Sequence, residues 1–310
     1  MVKPVFCVLG PTASGKTKLV MALADKLPID IISVDSAMVY QQMAIGTAKP
    51  TVEELLCYPH QLINLIEPDG SYSAAQFVRD VDQCINKSFT NQRIPVLVGG
   101  TMMYFQAIQI GLSELPGADE SLRSQLLEQG EAKGWPYLHQ TLAEVDAITA
   151  TRIHPHDKQR ISRALEVYYL TGKPLSHLIE ENRPLPYRFE NILLLPKKRA
   201  WLHQCIAERF STMLKEGLVT ETKSILEQWP NAIHSPSMRM VGYRQVYRYL
   251  QGQLNESELL DKGVAATRQL AKRQITWLRR WPYGRIMMAE QEQNRERIVA
   301  IVEEIMDNWV

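Results

Sequence analysis

Val5-Phe6-Cys7-Val8-Leu9-Gly10-Pro11-Thr12-Ala13-Ser14-Gly15-Lys16-Thr17 is the stretch that sets the fold class. An unbroken run of five apolar residues suits a strand buried on both faces. The octet Gly10, Pro11, Thr12, Ala13, Ser14, Gly15, Lys16, Thr17 fits G-x-x-x-x-G-K-[ST]. Residues 18–27 follow with helical periodicity, so the octet has the strand–loop–helix setting that the motif requires. Its glycines let the backbone curl until the loop N–H groups converge on phosphate oxygens at a helix N-terminus. In that reading Lys16 neutralises a terminal phosphate and the Thr17 hydroxyl holds Mg²⁺.

Working outward, residues 29–34 and 94–98 are further short apolar runs, the second closed by Gly99-Gly100-Thr101. Residues 192–195 are a fourth, and 285–288 a weaker candidate for a last strand. Residues 72–89 read as a helix. Short apolar strands alternating with helices predict an α/β fold, a parallel sheet covered by helices on both faces. From about residue 114 to 190 the strand signal stops, and residues 121–133, 137–146 and 159–170 read as helices between Pro- and Gly-containing turns. The expected organisation is therefore a first part of the core over residues 1–113, a helical insertion over 114–190, and a return to the core over 191–310. Residues 201–229 and 259–281 are helical in that last part.

The 310 residues carry 35 Lys plus Arg against 34 Asp plus Glu, so any basic surface must be local. It is local: residues 264–285 hold Arg268, Lys272, Arg273, Arg279, Arg280 and Arg285 without an acid, and the stretch beyond is acid-rich. Arg268, Lys272, Thr276 and Arg279 or Arg280 share one helical face, and Leu270, Gln274, Trp277, Leu278 and Trp281 form a largely apolar opposite face. Such a basic face is either solvated or a phosphate-backbone contact. Cys7, Cys57, Cys84 and Cys205 have no paired spacing, which argues against a zinc site or a disulfide frame and fits a reducing compartment. No charged leader and no membrane-length apolar run is present, so the expected location is the cytoplasm. His154-Pro155-His156 has no neighbouring carboxylate or cysteine cluster to complete a metal site.

A phosphate loop alone does not name the reaction. A GTPase needs Asn-Lys-x-Asp, and Asn86-Lys87-Ser88-Phe89 lacks the Asp. The 94–98 strand lacks a terminal acid. The acid instead ends the 29–34 strand, as Asp35, where α/β proteins bind ligands. By position alone, Asp35 could equally be a solvated strand end or a helix cap. Arg209, taken alone, is equally a solvated helix arginine.

The chain as a whole resembles the tRNA dimethylallyltransferase (IPP transferase) family. Asp35-Ser36-Ala37-Met38-Val39-Tyr40, Ile45-Gly46-Thr47-Ala48-Lys49-Pro50, Pro59-His60, Tyr72-Ser73-Ala74 and Gly99-Gly100-Thr101 carry the resemblance in order. So do Arg152-Ile153-His154-Pro155, Asp157-Lys158-Gln159-Arg160, Arg163-Ala164-Leu165-Glu166, Val241-Gly242-Tyr243-Arg244, the run from Thr267 to Gln274, and Trp277-Leu278-Arg279. Met38 departs from the pattern, standing where many members have Gln, which removes a side-chain amide contact to the target base.

The resemblance implies a nucleotide-kinase-like P-loop core whose loop cradles the diphosphate of dimethylallyl diphosphate, with Mg²⁺ as cofactor. It implies transfer of the dimethylallyl group to N6 of the adenosine 3′ of the anticodon, in tRNAs reading codons that start with U. Asp35 is then the base, Lys16, Thr12 and Arg209 hold the diphosphate, and Thr101 orients the adenine. Ser36, Ala37, Met38, Arg123, Gln159, Arg160, Ile161, Ser162, Arg163, Met240, Val241, Gly242, Tyr243, Arg244, Gln245, Arg268, Lys272 and Arg279 become tRNA contacts. The partners implied are the anticodon stem-loop and the prenyl donor, with no membrane, and the protein is expected to be a monomer. Two other readings remain open on the residues alone: a P-loop small-molecule kinase or ATPase, and an RNA-binding module with a relic loop.

Overall fold

The computed structural model describes residues 3–113, 115–179 and 183–307. Among the described residues six strands form one parallel sheet: β1 (Pro4–Leu9), β2 (Ile29–Val34), β3 (His60–Gln61), β4 (Ile94–Gly99), β5 (Arg188–Leu195) and β6 (Arg285–Met288). Their spatial order is β3-β2-β4-β1-β5-β6. β1 pairs with β4 from Phe6 opposite Val96 to Leu9 opposite Gly99, and with β5 from Pro4 opposite Arg188 to Leu9 opposite Leu193. Parallel neighbours need crossovers, and the helices between strands supply them.

Both faces of the sheet are covered, which is why its strands read as continuous apolar runs. Phe6, Val8, Ile31, Val96, Val98, Ile192 and Leu194 pack in one core with Val20 and Leu23 of the Lys16–Ala24 helix and Ile298, Val302 and Ile305 of the Asn294–Asp307 helix. Cys7, Ile32, Leu97 and Leu193 alternate onto the opposite face and are equally buried. The Ala74–Thr90 helix packs on β2 and β4. It starts on a reciprocal cap in which Ser73 Oγ accepts from Gln76 N–H and the Gln76 side chain accepts from Ser73 N–H. A second core joins Leu202, Ile206 and Phe210 of the Arg199–Lys215 helix to Leu218, Tyr243, Val246, Leu259 and Ala271.

The chain divides into two compact units: residues 1–107 with 186–310, and residues 108–185. The smaller unit therefore begins and ends a few residues earlier than the 114–190 span expected, and Glu114 itself lies outside the described residues. β5 starts at Arg188 rather than 192, because Arg188 and Glu190 interrupt the apolar signal in the first half of that strand. The smaller unit is built from the helices Glu120–Lys133, Trp135–Val145, Ala147–Arg152, Lys158–Thr171 and Leu175–Leu178 around Leu126, Trp135, Leu138, Leu142, Ile161 and Leu165. Gly130 is a glycine because a Cβ there would sit 2.5 Å from the Trp135 ring. Residues 201–229, expected as one helical stretch, are two helices, Arg199–Lys215 and Leu218–Gln228, parted by Gly217 at φ 106. Among the described residues no helix is long and apolar enough to cross a membrane.

Candidate active site

The loop after β1 turns through two left-handed residues, Ala13 at φ 62 and Gly15 at φ 82, before Lys16 opens the first helix. Alternation of this kind turns successive N–H groups inward and makes an anion-binding concavity. A left-handed alanine is costly and persists where surrounding structure holds it. Lys16 Nζ donates to Pro11 O at 2.6 Å. Burial lowers the Lys16 pKa to about 7, with Asp35 acting to raise it and Arg209 to lower it further. Arg209, on the Arg199–Lys215 helix, is likewise held below its usual range by burial, opposed by Asp35. Two poorly solvated cations facing a common space form a site for an anion with more than one negative charge.

Asp35 follows directly on β2, and its Oδ1 accepts from the Ala37 N–H at 2.8 Å. That turn leaves the second carboxylate oxygen uncommitted. Thr101, following β4, accepts at its Oγ1 from the Ser36 N–H at 3.0 Å, and its own N–H donates to Val34 O at 3.3 Å. The ends of β2 and β4 are thereby tied, and they meet so closely that a Cβ on Gly99 would run into Val34 O. No side chain fits there.

A cavity of about 510 Å³ opens over these strand ends. Thr12, Lys16, Thr17, Asp35, Ser36, Ala37, Met38, Thr101, Arg209, Met240, Val241, Gly242 and Tyr243 all line it, so residues from five distant parts of the sequence converge. Met38 is nearly buried, with its sulfur against Ser33 Oγ at 3.9 Å. Thr17 lines the cavity beside Lys16, and a hydroxyl there fits a single protein ligand to a Mg²⁺ held mainly by phosphate oxygens.

Other expected site residues take different places. Ile161 is 0% exposed in the core of the smaller unit, so its side chain cannot touch RNA. Tyr243 is also 0% exposed, and its hydroxyl donates to Glu221 Oε1 at 2.7 Å. Gln245 is buried too, its Oε1 accepting from the Gly242 N–H at 2.9 Å. Arg123 and Arg163 both bond the fully buried Glu166, at 2.8 and 2.7 Å. Burial acts to raise the Glu166 pKa, but hydrogen bonds from Arg163, the Asp119 N–H and Arg123 outweigh it and hold the group below the usual carboxylate range. Gln159, Arg160, Arg244, Arg268, Lys272 and Arg279 are exposed or half-buried, and Ser162 is half-buried.

Three positions that shape the site carry no clear mark in the sequence. Trp277, expected on the apolar face of its helix, is 42% exposed and lines the cavity with Arg273. The face that is buried runs through Gly263, Val264, Ala271 and Leu278 instead. Gln274 Oε1 accepts from the Thr12 N–H at 2.8 Å, and its Nε2 donates to Gly100 O at 2.9 Å. Glu221 accepts from the N–H groups of Ala44, Ile45 and Gly46 at 2.8–3.1 Å besides the Tyr243 hydroxyl. Gly46 lies so close to the Tyr243 ring that a Cβ would approach to 2.5 Å. The Gly46 constraint is in principle a glycine signal, but nothing in the spacing points to residue 221 or 243 as its partner.

A loop with the G-x-x-x-x-G-K-[ST] pattern at the C-terminal edge of a parallel sheet, with two cations and a carboxylate lining one cavity, sets the chain among α/β proteins with a P-loop-like fold. A family model described as IPP transferase matches residues 38–281, and the chain belongs to that family. It is 50% identical over its full length to a tRNA dimethylallyltransferase of Legionella pneumophila, covering 99% of that protein. It is 47% identical to tRNA dimethylallyltransferase 2 of Hahella chejuensis, with 96% of this chain and 95% of that one covered. A full-length tRNA isopentenylpyrophosphate transferase from Bacillus halodurans superposes with a TM-score of 0.72 at 32% identity, covering 99% and 98% of the two chains. A eukaryotic dimethylallyltransferase acting on tRNA superposes at 0.84 with 26% identity, covering 99% of this chain and 80% of that one.

Proposed function

We propose that the chain transfers a dimethylallyl group from dimethylallyl diphosphate to N6 of the adenosine 3′ of the anticodon, in tRNAs reading codons that start with U. The products are N6-dimethylallyladenosine and diphosphate. The observation that carries the reading is that Lys16 and Arg209, both poorly solvated, share one cavity with Asp35 and interact with its charge. An allylic diphosphate lies with its phosphates on the cations and its C1 toward the carboxylate. The N6 lone pair forms the bond to C1, the C1–O bond breaks with its electrons passing to the diphosphate, and the N6 proton goes to Asp35.

The adenine amine is a poor nucleophile because its lone pair is conjugated with the ring, so a base that removes the proton as the bond forms contributes directly. Lys16, Arg209 and the loop N–H groups offset charge that grows on the leaving oxygen, and this differential stabilisation is what lowers the barrier. Thr17 is the residue that would hold Mg²⁺, which adds further charge neutralisation on the diphosphate. Thr101 and the 36–38 backbone orient the base. Arg268, Lys272 and Arg279 supply phosphate-backbone contacts that place the stem-loop. The protein acts as a monomer.

The test is incubation with dimethylallyl diphosphate, Mg²⁺ and unmodified tRNA, followed by nucleoside analysis. The expected product is N6-dimethylallyladenosine, and its absence beside robust ATP turnover would overturn the reading.

A further inference from the structure

Gln274 stands on the Glu256–Leu278 helix, whose outer face carries exposed Arg268 and Lys272. One side-chain amide there spans two separate parts of the site. Its carbonyl takes the Thr12 N–H in the phosphate loop, and its amino group reaches Gly100 O after β4. Both partners are backbone, one a donor and one an acceptor, so the orientation of the amide is determined. Gly100 is the residue that admits it, since a Cβ at that position would lie 2.5 Å from Gln274 Nε2. The neighbours Arg273 and Trp277 line the same cavity as Thr12 and Lys16.

We propose that Gln274 is a positioning residue that couples the RNA-facing helix to the diphosphate loop, so that RNA on the helix and diphosphate in the loop strengthen each other's binding. The inference rests on the function proposed above. A loop whose Thr12 N–H is engaged from outside takes its position from the helix that engages it. RNA phosphates gathered on Arg268 and Lys272 order that helix, and the ordering reaches Thr12 and Gly100 through one amide. Diphosphate binding then meets a loop already held, and by linkage the effect runs equally in the other direction.

The test titrates the full-length protein with inorganic pyrophosphate and Mg²⁺, alone and with saturating anticodon stem-loop RNA. Wild type is compared with Gln274→Met, which keeps the side-chain length and removes both bonds. Gly100→Ala is the second variant, displacing the amide while leaving Gln274 in place. RNA should tighten pyrophosphate binding about fivefold or more in wild type. In both variants the tightening should vanish, with a far-ultraviolet circular dichroism spectrum and a cooperative melt like those of wild type reporting that the variant is folded. Equal pyrophosphate affinity with and without RNA in wild type, or tightening that survives in a folded variant, overturns the proposal. Prenyl transfer by wild type is scored separately: protein that binds both ligands cooperatively but prenylates nothing sinks the proposed function and leaves the coupling standing.

Discussion

Asp35 lines the cavity with one oxygen fastened to the Ala37 N–H, a bond that restrains the carboxylate before any ligand arrives. Asp35→Asn keeps the size and the turn but removes the proton acceptor. Single-turnover prenyl transfer should fall by about 10²–10⁴, the usual worth of a general base, with both substrates still bound. A rate within a few-fold of wild type would assign the proton to another group. Lys16 carries a different signature. Its folded-state pKa of about 7 lies below the ordinary lysine value of 10.5, so between those pH values the unfolded chain binds more protons than the folded one. The penalty for burying this lysine is therefore complete below about pH 7 and is relieved as pH rises toward 10.5. Lys16→Met should accordingly be more stable than wild type at low pH, with the advantage fading through that window, while losing prenyl transfer. Denaturant melts of both proteins at several pH values measure the difference, and a gap independent of pH would contradict a depressed Lys16 pKa.

At the scale of elements, the 256–278 helix is where sequence and structure diverge most usefully. Its basic positions were legible because Arg268, Lys272 and Arg279 recur at helical spacing without acids between them. Its inner face was not, because Trp277 and Gln274 both fall on the largely apolar stripe expected to be buried. Only the placement of this helix beside the phosphate loop and the end of β4 turns the first into a cavity wall and the second into a clamp. The strands carrying the phosphate loop and Asp35 were legible for the opposite reason: burial on both faces leaves a run of apolar residues that needs no partner to be recognised. Short elements such as Val52–Cys57, Tyr243–Leu250 and β3 left too little periodicity to be seen. Replacing Arg268, Lys272 and Arg279 together by Ala should reduce the magnitude of the log–log salt slope of RNA binding by roughly 0.7–0.9 for each RNA phosphate no longer neutralised. The KM for the prenyl donor should not move, and an unchanged slope would return this face to the solvent. Glu221→Ala removes the partner of one exposed and two half-buried N–H groups and of the Tyr243 hydroxyl at once. That should cost about 2–4 kcal/mol in denaturant unfolding. A loss under about 1 kcal/mol, small for the removal of four hydrogen bonds to one carboxylate, would show that water replaces the carboxylate without strain.

Across the whole molecule, the proposed function requires the selectivity of the site to lie beyond the phosphates, because loop N–H groups, a lysine and a threonine hydroxyl would serve any diphosphate alike. Pyrophosphate should compete with dimethylallyl diphosphate, and ATP should compete weakly without being hydrolysed. Phosphate release from ATP followed beside prenyl transfer checks this, and ATP turnover at a comparable rate would contradict it. The strand order carries a consequence of another kind. β1 is made first, yet its neighbours β4 and β5 begin at residues 94 and 188. With synthesis on the order of 10 residues per second, β1 waits roughly ten seconds for its first neighbour and about as long again for its second. Residues 108–185 are all made before β5 is, so the smaller unit has its whole core available while the sheet is still open along the β1 edge. The loop after β1 is thus made well before β5 and before the later helices whose residues line its cavity. During that interval the nascent chain exposes an unpaired apolar strand edge, which is the kind of surface that chaperones bind and that aggregates form around.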